Sequence, residues 1–350
     1  MSDAVRLALG AVVDGRNLTL EEARGAMGSV MDGEATPALL AALLVALRMR
    51  GETVDELAGF ASAMRERVVR VDAPDGAVDT CGTGGDNSGT FNISTTAALV
   101  VAASGVPVAK HGNRAITSQS GSADVLDALG VRIDHDAASA GAAMRDIGFA
   151  FLFAPSFHPA MKHAGPTRRE IGVRTAFNLL GPLTNPAGAR RQVVGVADPV
   201  AAARLAAVLH RLGVDRAFVV GGAGIDELPL DGTGTIHDVT SDGVEVRPVD
   251  AVALGLTGAP TARLAGGTPA DNARILESIL RGEPGARRDV ALLNAGAALV
   301  VAGIVDDLPA GIDRAALTID AGLATELLAN LREERRAADA AGPVEQGAPA

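Results

Sequence analysis

The stretch Val78-Asp79-Thr80-Cys81-Gly82-Thr83-Gly84-Gly85-Asp86-Asn87-Ser88-Gly89-Thr90-Phe91-Asn92-Ile93-Ser94-Thr95 decides how the rest of the chain is read. A short β-type run enters a turn holding Gly82, Gly84 and Gly85, and a helical run from Thr95 to Ala103 leaves it. Glycines there let backbone amides turn toward an anion without Cβ obstruction, and the helix N-terminus adds positive potential. Ser94 and Thr95 offer hydroxyls at the helix start, and Asn92 offers an amide. The spacing matches neither G-x-G-x-x-G nor G-x-x-x-x-G-K-S/T, so a dinucleotide or Walker-type site is a poor reading. The hydroxyl cluster favours a phosphate over a plain turn.

Beyond this stretch, β-type and helical runs alternate. Val106 to Ala109, Phe149 to Phe153, Gln192 to Val196 and Ala217 to Val220 read as strands. Ser122 to Leu129 and runs from Pro199, Pro269, Asp289 and Asp313 read as helices. That alternation predicts an α/β fold with a mostly parallel central sheet, covered on both faces. Residues 1–70 instead read as helices only. Thr19-Leu20-Glu21-Glu22 and Thr53-Val54-Asp55-Glu56 have the spacing of capping boxes, and Thr36-Pro37 opens a helix that Gly51 stops. That helix carries Leu39, Leu40, Leu43, Leu44 and Leu47 on more than one face, so either the rest of the chain or a second subunit must cover it, and an interface is expected there. The pattern breaks at 71–76, giving a helical domain over 1–70 and an α/β domain over 77–155 and 187–331. Ser156 to Pro186 has no strand signal, and residues 332–350, from Arg332-Glu333-Glu334-Arg335-Arg336 onward, read as a frayed, disordered tail.

Composition excludes several classes. The chain has 350 residues, 48% of them apolar, enough for substantial cores. A net charge of -11 and an absence of Trp and Tyr disfavour nucleic-acid binding, which wants basic grooves and stacking rings. The single Cys81 excludes a disulfide framework, and with no His near it in the motif it reads as a small buried residue. No apolar run is long enough for a membrane span, and the N-terminus lacks a signal-peptide pattern, so a cytoplasmic protein is expected.

Three further groups carry chemistry. Lys110-His111-Gly112-Asn113-Arg114 follows a strand and leads through Ser118 to Ser122, which would cap the next helix. Lys110 there suits a phosphate as a point charge, and Asn113 can both donate and accept, as a substrate bearing a carboxylate and an amine requires. Asp226 and Glu227 follow the strand Val219-Val220 and suit magnesium when phosphate supplies the other oxygens. In the Pro- and Gly-rich segment, Arg168 could pair with a substrate carboxylate. His158 could act as a base, though a His beside proline more often packs.

Together Gly82-Thr83-Gly84-Gly85-Asp86, Asn92-Ile93-Ser94-Thr95, Lys110-His111-Gly112-Asn113-Arg114, Gly121-Ser122-Ala123-Asp124 and Phe177 through Pro186 resemble the anthranilate phosphoribosyltransferases, in family order and spacing from about Leu7 to Leu331. The resemblance implies a small helical domain, completed by about 156–186, beside a large α/β domain shared with pyrimidine nucleoside phosphorylases. It also implies a homodimer through the helical domains. The implied reaction joins anthranilate to 5-phosphoribosyl 1-diphosphate, with magnesium, releasing diphosphate. Carried over, Gly82, Gly85, Asp86, Thr90, Asn92, Ile93, Ser94, Thr95, Lys110, Arg114, Ser118 and Ser122 would bind the phosphoribosyl donor. Gly82, Asn113, Arg168, His111, His158 and Pro182 would bind anthranilate, and Ser94, Asp226 and Glu227 the metal. No general base is assigned, because an aniline-type amine is already neutral and nucleophilic. A pyrimidine nucleoside phosphorylase and a non-catalytic nucleic-acid-binding relative are the competing readings.

Overall fold

Both N-terminal capping boxes form as their spacing predicts. In the computed structural model, which describes residues 3–115 and 119–342, Thr19 and Thr53 each accept from the amide of the glutamate three residues on, and each glutamate returns the bond. They open α2 (Leu20–Met31) and α4 (Val54–Arg65); α1 (Asp3–Val13) precedes them and α3 (Pro37–Arg50) lies between. The third helix starts at cap Thr36 and stops at Gly51, whose φ of 91° would strain any residue with a side chain. Leu40, Leu43, Leu44 and Leu47 of α3 are buried within this bundle, while Met49 is 83% exposed, as are Leu7 and Val13 of α1 in large part.

The rest of the described chain is built on one seven-stranded sheet. The strands are β1 (Val78–Gly82), β2 (Val108–Gly112), β3 (Phe149–Phe153), β4 (Arg191–Gly195), β5 (Arg216–Gly221), β6 (Thr233–Thr240) and β7 (Gly243–Asp250), in the order β3-β2-β1-β4-β5-β6-β7. The first five run parallel and the last two antiparallel, so the sheet is mostly parallel as expected. The hairpin β6–β7 was not foreseen, although Asp242-Gly243 between alternating runs is a hairpin signal. The chain winds one way from β1 through β2 to β3, then returns to place β4 on the other side of β1. The crevice above the carboxyl ends of β1 and β4 is therefore the topological switch point, where open α/β sheets bind ligands.

Each face of the sheet is covered. One face packs against α5 (Ile93–Ala103), α6 (Ser122–Ala128) and the long helix Ala286–Ala302. The other packs against the helix Pro199–Arg211 and, beyond it, the four N-terminal helices. Ala164, Ala176, Phe177, Leu180 and Leu183, from the strandless segment, join this second core. The segment thus leaves the sheet and packs on the helical bundle. The tail departs from the expectation of fraying at Arg332. The last helix runs Leu323–Ala341, because Arg332 donates to the Leu129 carbonyl and pairs with Glu277, while Arg335 donates to Asp127 and to the Val131 carbonyl. Residues 343–350 lie outside the described residues.

Candidate active site

The glycine turn is shaped by what crowds it. Gly82 ends β1 in register with Gly195 at the end of β4. A Cβ on Gly82 would stand 2.5 Å from Asp226 Oδ2, and one on Gly195 would strike the Asp226 backbone. Two bare positions therefore let the Gly222–Glu227 loop lie across both strand ends. Gly84 and Gly85 follow with φ of 60° and 70°, so the turn needs residues without a left-handed penalty. The Gly84 amide donates to Asp226 Oδ2 at 2.9 Å and the Asp226 amide to Asp86 Oδ2 at 3.4 Å. Glu227 Oε1 accepts from the Ser94 amide at 2.9 Å, at the first turn of α5.

Three carboxylates from two loops thus lie near one another at the glycine turn, with Glu227 bonded to the first turn of α5, and among the described residues none of them forms an ion pair. Burial, and then the charge of Asp86, push the Asp226 carboxyl up to about 6. Burial and Asp226 raise Glu227 well above the usual carboxylate range, with Lys110 opposing. An all-oxygen cluster that burial and self-repulsion drive toward protonation fits a divalent cation such as magnesium, which would relieve both. Among the described residues no group of three His, Cys, Asp or Glu side chains is arranged to hold a metal ion by itself. That suits a cation drawing most of its oxygens from phosphates and water.

The other donor-side residues divide into those that face the turn and those that support it. Asn92 holds Ser120 through two hydrogen bonds and accepts from Asn272 at 2.8 Å, tying α5 to the loop before α6. Thr90 makes an antiparallel bridge with Ala265 and lies 3.2 Å from the Ser88 hydroxyl. Ile93 and Thr95 are buried, and Ile93 packs into the core on that face of the sheet. Lys110 is not the open point charge that its position at a strand end suggests. It is 1% exposed and donates to the Thr80 carbonyl at 2.6 Å, and burial lowers its pKa while Asp79 and Glu227 oppose that. Arg114 is drawn away from the turn by Asp124 and Asp127 at 2.9 and 3.2 Å. Ser122 does not cap α6. Gly121 holds that place, Asp124 accepts its amide, and the Ser122 hydroxyl donates to the Asn113 carbonyl. Ser118 lies outside the described residues.

Of the acceptor-side candidates, the two histidines are brought together. His111 on β2 and His158 face each other with Nε2 atoms 3.2 Å apart and rings tilted by 42°. Burial, reinforced by His158, pulls the His111 imidazole down to about 3; burial pulls His158 down to about 4. Both are therefore neutral near pH 7. Pro182 is buried, and its carbonyl accepts from Gln192. Asn113 is exposed. Arg168 stacks its guanidinium 4.7 Å over the Phe177 ring, half-buried and without an acidic partner among the described residues, and desolvation lowers its pKa. Cys81, with burial and Asp79 both raising its pKa, remains a thiol and no nucleophile.

One residue the motifs did not single out spans the crevice. Arg174, from the segment packed on the helical bundle, donates to the Gly84 and Gly85 carbonyls at 2.8 and 3.2 Å. A Cβ on Gly85 would collide with its guanidinium. Ninety residues separate the partners, so no local pattern could have signalled the contact.

Comparison with known proteins agrees with the helical bundle and the α/β domain. The glycosyl transferase family α/β domain matches residues 74–325, and the helical bundle domain of the same family matches 6–68. Anthranilate phosphoribosyltransferase from Pelotomaculum thermopropionicum is 52% identical over 331 residues, covering 94% of this chain and 96% of its own. The chain belongs to the anthranilate phosphoribosyltransferases. The Xanthobacter autotrophicus member is 51% identical, over 92% of this chain and 94% of its own. Among solved anthranilate phosphoribosyltransferases, that of Thermus thermophilus superposes with a TM-score of 0.89 at 45% identity, covering 94% and 99% of the two chains. The Saccharomyces cerevisiae enzyme in complex with PRPP and Mg superposes at 0.87, with 26% identity over 96% and 99%.

Proposed function

We propose that this chain transfers the phosphoribosyl group of 5-phosphoribosyl 1-diphosphate (PRPP) to the amine of anthranilate, giving N-(5-phosphoribosyl)anthranilate and diphosphate. The observation that carries the reading is the cluster of Asp86, Asp226 and Glu227 over the glycine turn and the α5 N-terminus. Backbone amides and carboxylates at one spot suit a polyphosphate that arrives with a divalent cation.

In this reading the C1–oxygen bond of the donor breaks, the electron pair leaves with diphosphate, and the amine nitrogen forms the new bond to C1. The nitrogen then sheds one proton to solvent. Magnesium, when bound, neutralises charge on the departing diphosphate, and Asp226, Glu227 and Ser94 are the residues that would hold it. Gly82, Gly85, Asp86, Thr90 and Asn92 orient the donor, with Ile93 and Thr95 contributing through the backbone that they fix. Lys110 adds positive potential from below. Arg168 pairs with the anthranilate carboxylate while Asn113, His111, His158 and Pro182 shape its slot. Neutral imidazoles with pKa values of about 3 and 4 are weak bases, which agrees with positioning as the main contribution of that wall.

The exposed Leu7, Val13 and Met49 on α1 and α3 support a homodimer through the helical bundle. Among the described residues no helix is long and apolar enough to cross a membrane. A cytoplasmic location follows from the highly charged donor, which membranes retain. The deciding experiment mixes the protein with anthranilate, PRPP and magnesium and follows loss of anthranilate fluorescence. Fluorescence that decays only when all three are present supports the reading; an unchanged signal overturns it. Phosphate-dependent thymidine cleavage would instead indicate a nucleoside phosphorylase.

A further inference from the structure

The acceptor wall hangs on a buried pair that none of the assigned roles uses. Asp79 lies on β1, three residues before the glycine turn, and is fully buried. Its Oδ1 accepts the amide of His111 at 3.2 Å, and its Oδ2 accepts Asn185 Nδ2 at 2.8 Å. Asn185 Nδ2 also donates to the Ala109 carbonyl at 2.9 Å, and Asn185 Oδ1 accepts the Ala187 amide at 2.8 Å. Asn185 thus anchors the turn Gly181–Pro186. Gly181 and Thr184 of that turn lie beside the His111 and His158 rings.

We infer that Asp79 and Asn185 are a positioning pair for the acceptor: one carboxylate grips both supports of the imidazole pair, the β2 strand end under His111 and the turn against His158. The pair touches neither substrate. Its geometry explains why a carboxylate stands buried on the strand that also carries the donor turn: the two halves of the crevice are held to one rigid strand. A loose Asn185 turn would let the imidazoles shift by the fraction of an ångström that positioning catalysis cannot tolerate. Burial raises the pKa of the Asp79 carboxyl, while Lys110, Asn185 and the His111 amide oppose that rise.

This inference rests on the transferase reading, and its test separates the two. Wild-type protein that fails to consume anthranilate defeats the reading; the variants below speak only once wild type is active. Asp79→Asn keeps the shape but places an amide where two donors converge. It should raise the KM for anthranilate about tenfold while the KM for PRPP changes less than about threefold. Asn185→Ser should give the same split and serves if Asp79→Asn does not fold. Because both act through one contact, the double variant should lose no more than the worse single one. Parallel rises in the two KM values, or losses that add in the double variant, would overturn the inference.

Discussion

The two walls of the crevice handle charge in opposite ways. On the donor wall, carboxylates are packed until burial and mutual repulsion push Asp226 up to about 6 and Glu227 well above the usual carboxylate range. On the acceptor wall, imidazoles are packed until they fall to about 3 and 4, and the one cation, Arg168, lies over an aromatic ring without an acid. Each wall is unfinished in a way that names its ligand. Among the described residues the acids of the first form no ion pair, and Arg168 on the second has no acidic partner. Burial of unpaired groups is costly to a folded chain, so such sites persist where a ligand completes them.

The largest expected effect lies on the donor wall. Asp226→Asn or Glu227→Gln should lower kcat by roughly a hundred- to a thousand-fold at saturating substrate, because the charge on the leaving group loses its counterweight. Steady-state assays across magnesium concentrations check this, and a loss confined to KM would mean that the acids only bind. On the acceptor wall, Arg168→Ala should reduce kcat/KM for anthranilate by about ten- to a hundred-fold, the weight of one charge-assisted pair. Its KM for PRPP should stay put; a change there would erase the division between walls. Arg174→Ala, which frees the glycine-turn carbonyls, should raise the KM for PRPP about three- to tenfold with little effect on anthranilate.

The smallest effect, in thermal stability, tests the opposition of sign directly. An imidazole depressed in the folded state stays neutral while the unfolded chain takes up protons. Stability therefore erodes as pH falls from about 6.5 toward the folded values near 4 and 3. His158→Gln should flatten that acid limb of the melting curve by about two to four degrees. A carboxyl raised in the folded state works the other way: its contribution is full at low pH and is lost as pH rises through about 6. Magnesium with PRPP should accordingly lift the melting temperature more at pH 7.5 than at pH 5. Equal lifts at both would contradict the strain assigned to the acids.

Local signals were legible in the sequence, and long-range ones were not. The capping boxes at Thr19 and Thr53 and the glycine turn depend on neighbours within a few residues, so spacing alone locates them. The paired approach of Gly82 and Gly195 to Asp226 depends on strand order, and the grip of Arg174 on Gly84 on a segment that crosses to the bundle. No pattern along the chain carries either. Lys110 and Arg114 show the same limit. A basic residue in a phosphate-type loop reads as a ligand, but burial claims the first and Asp124 with Asp127 the second. The charged run at Arg332 reads as a loose end because its partners, Leu129, Glu277 and Asp127, are distant in sequence.

The bare positions at Gly82 and Gly195 and the reach of Arg174 make the donor loop a composite of three distant stretches. Transplanting Gly82 to Thr90 into a foreign scaffold would carry the letters without the shape. An engineer wishing to move this phosphate cradle must move the second strand end and the arginine's segment with it.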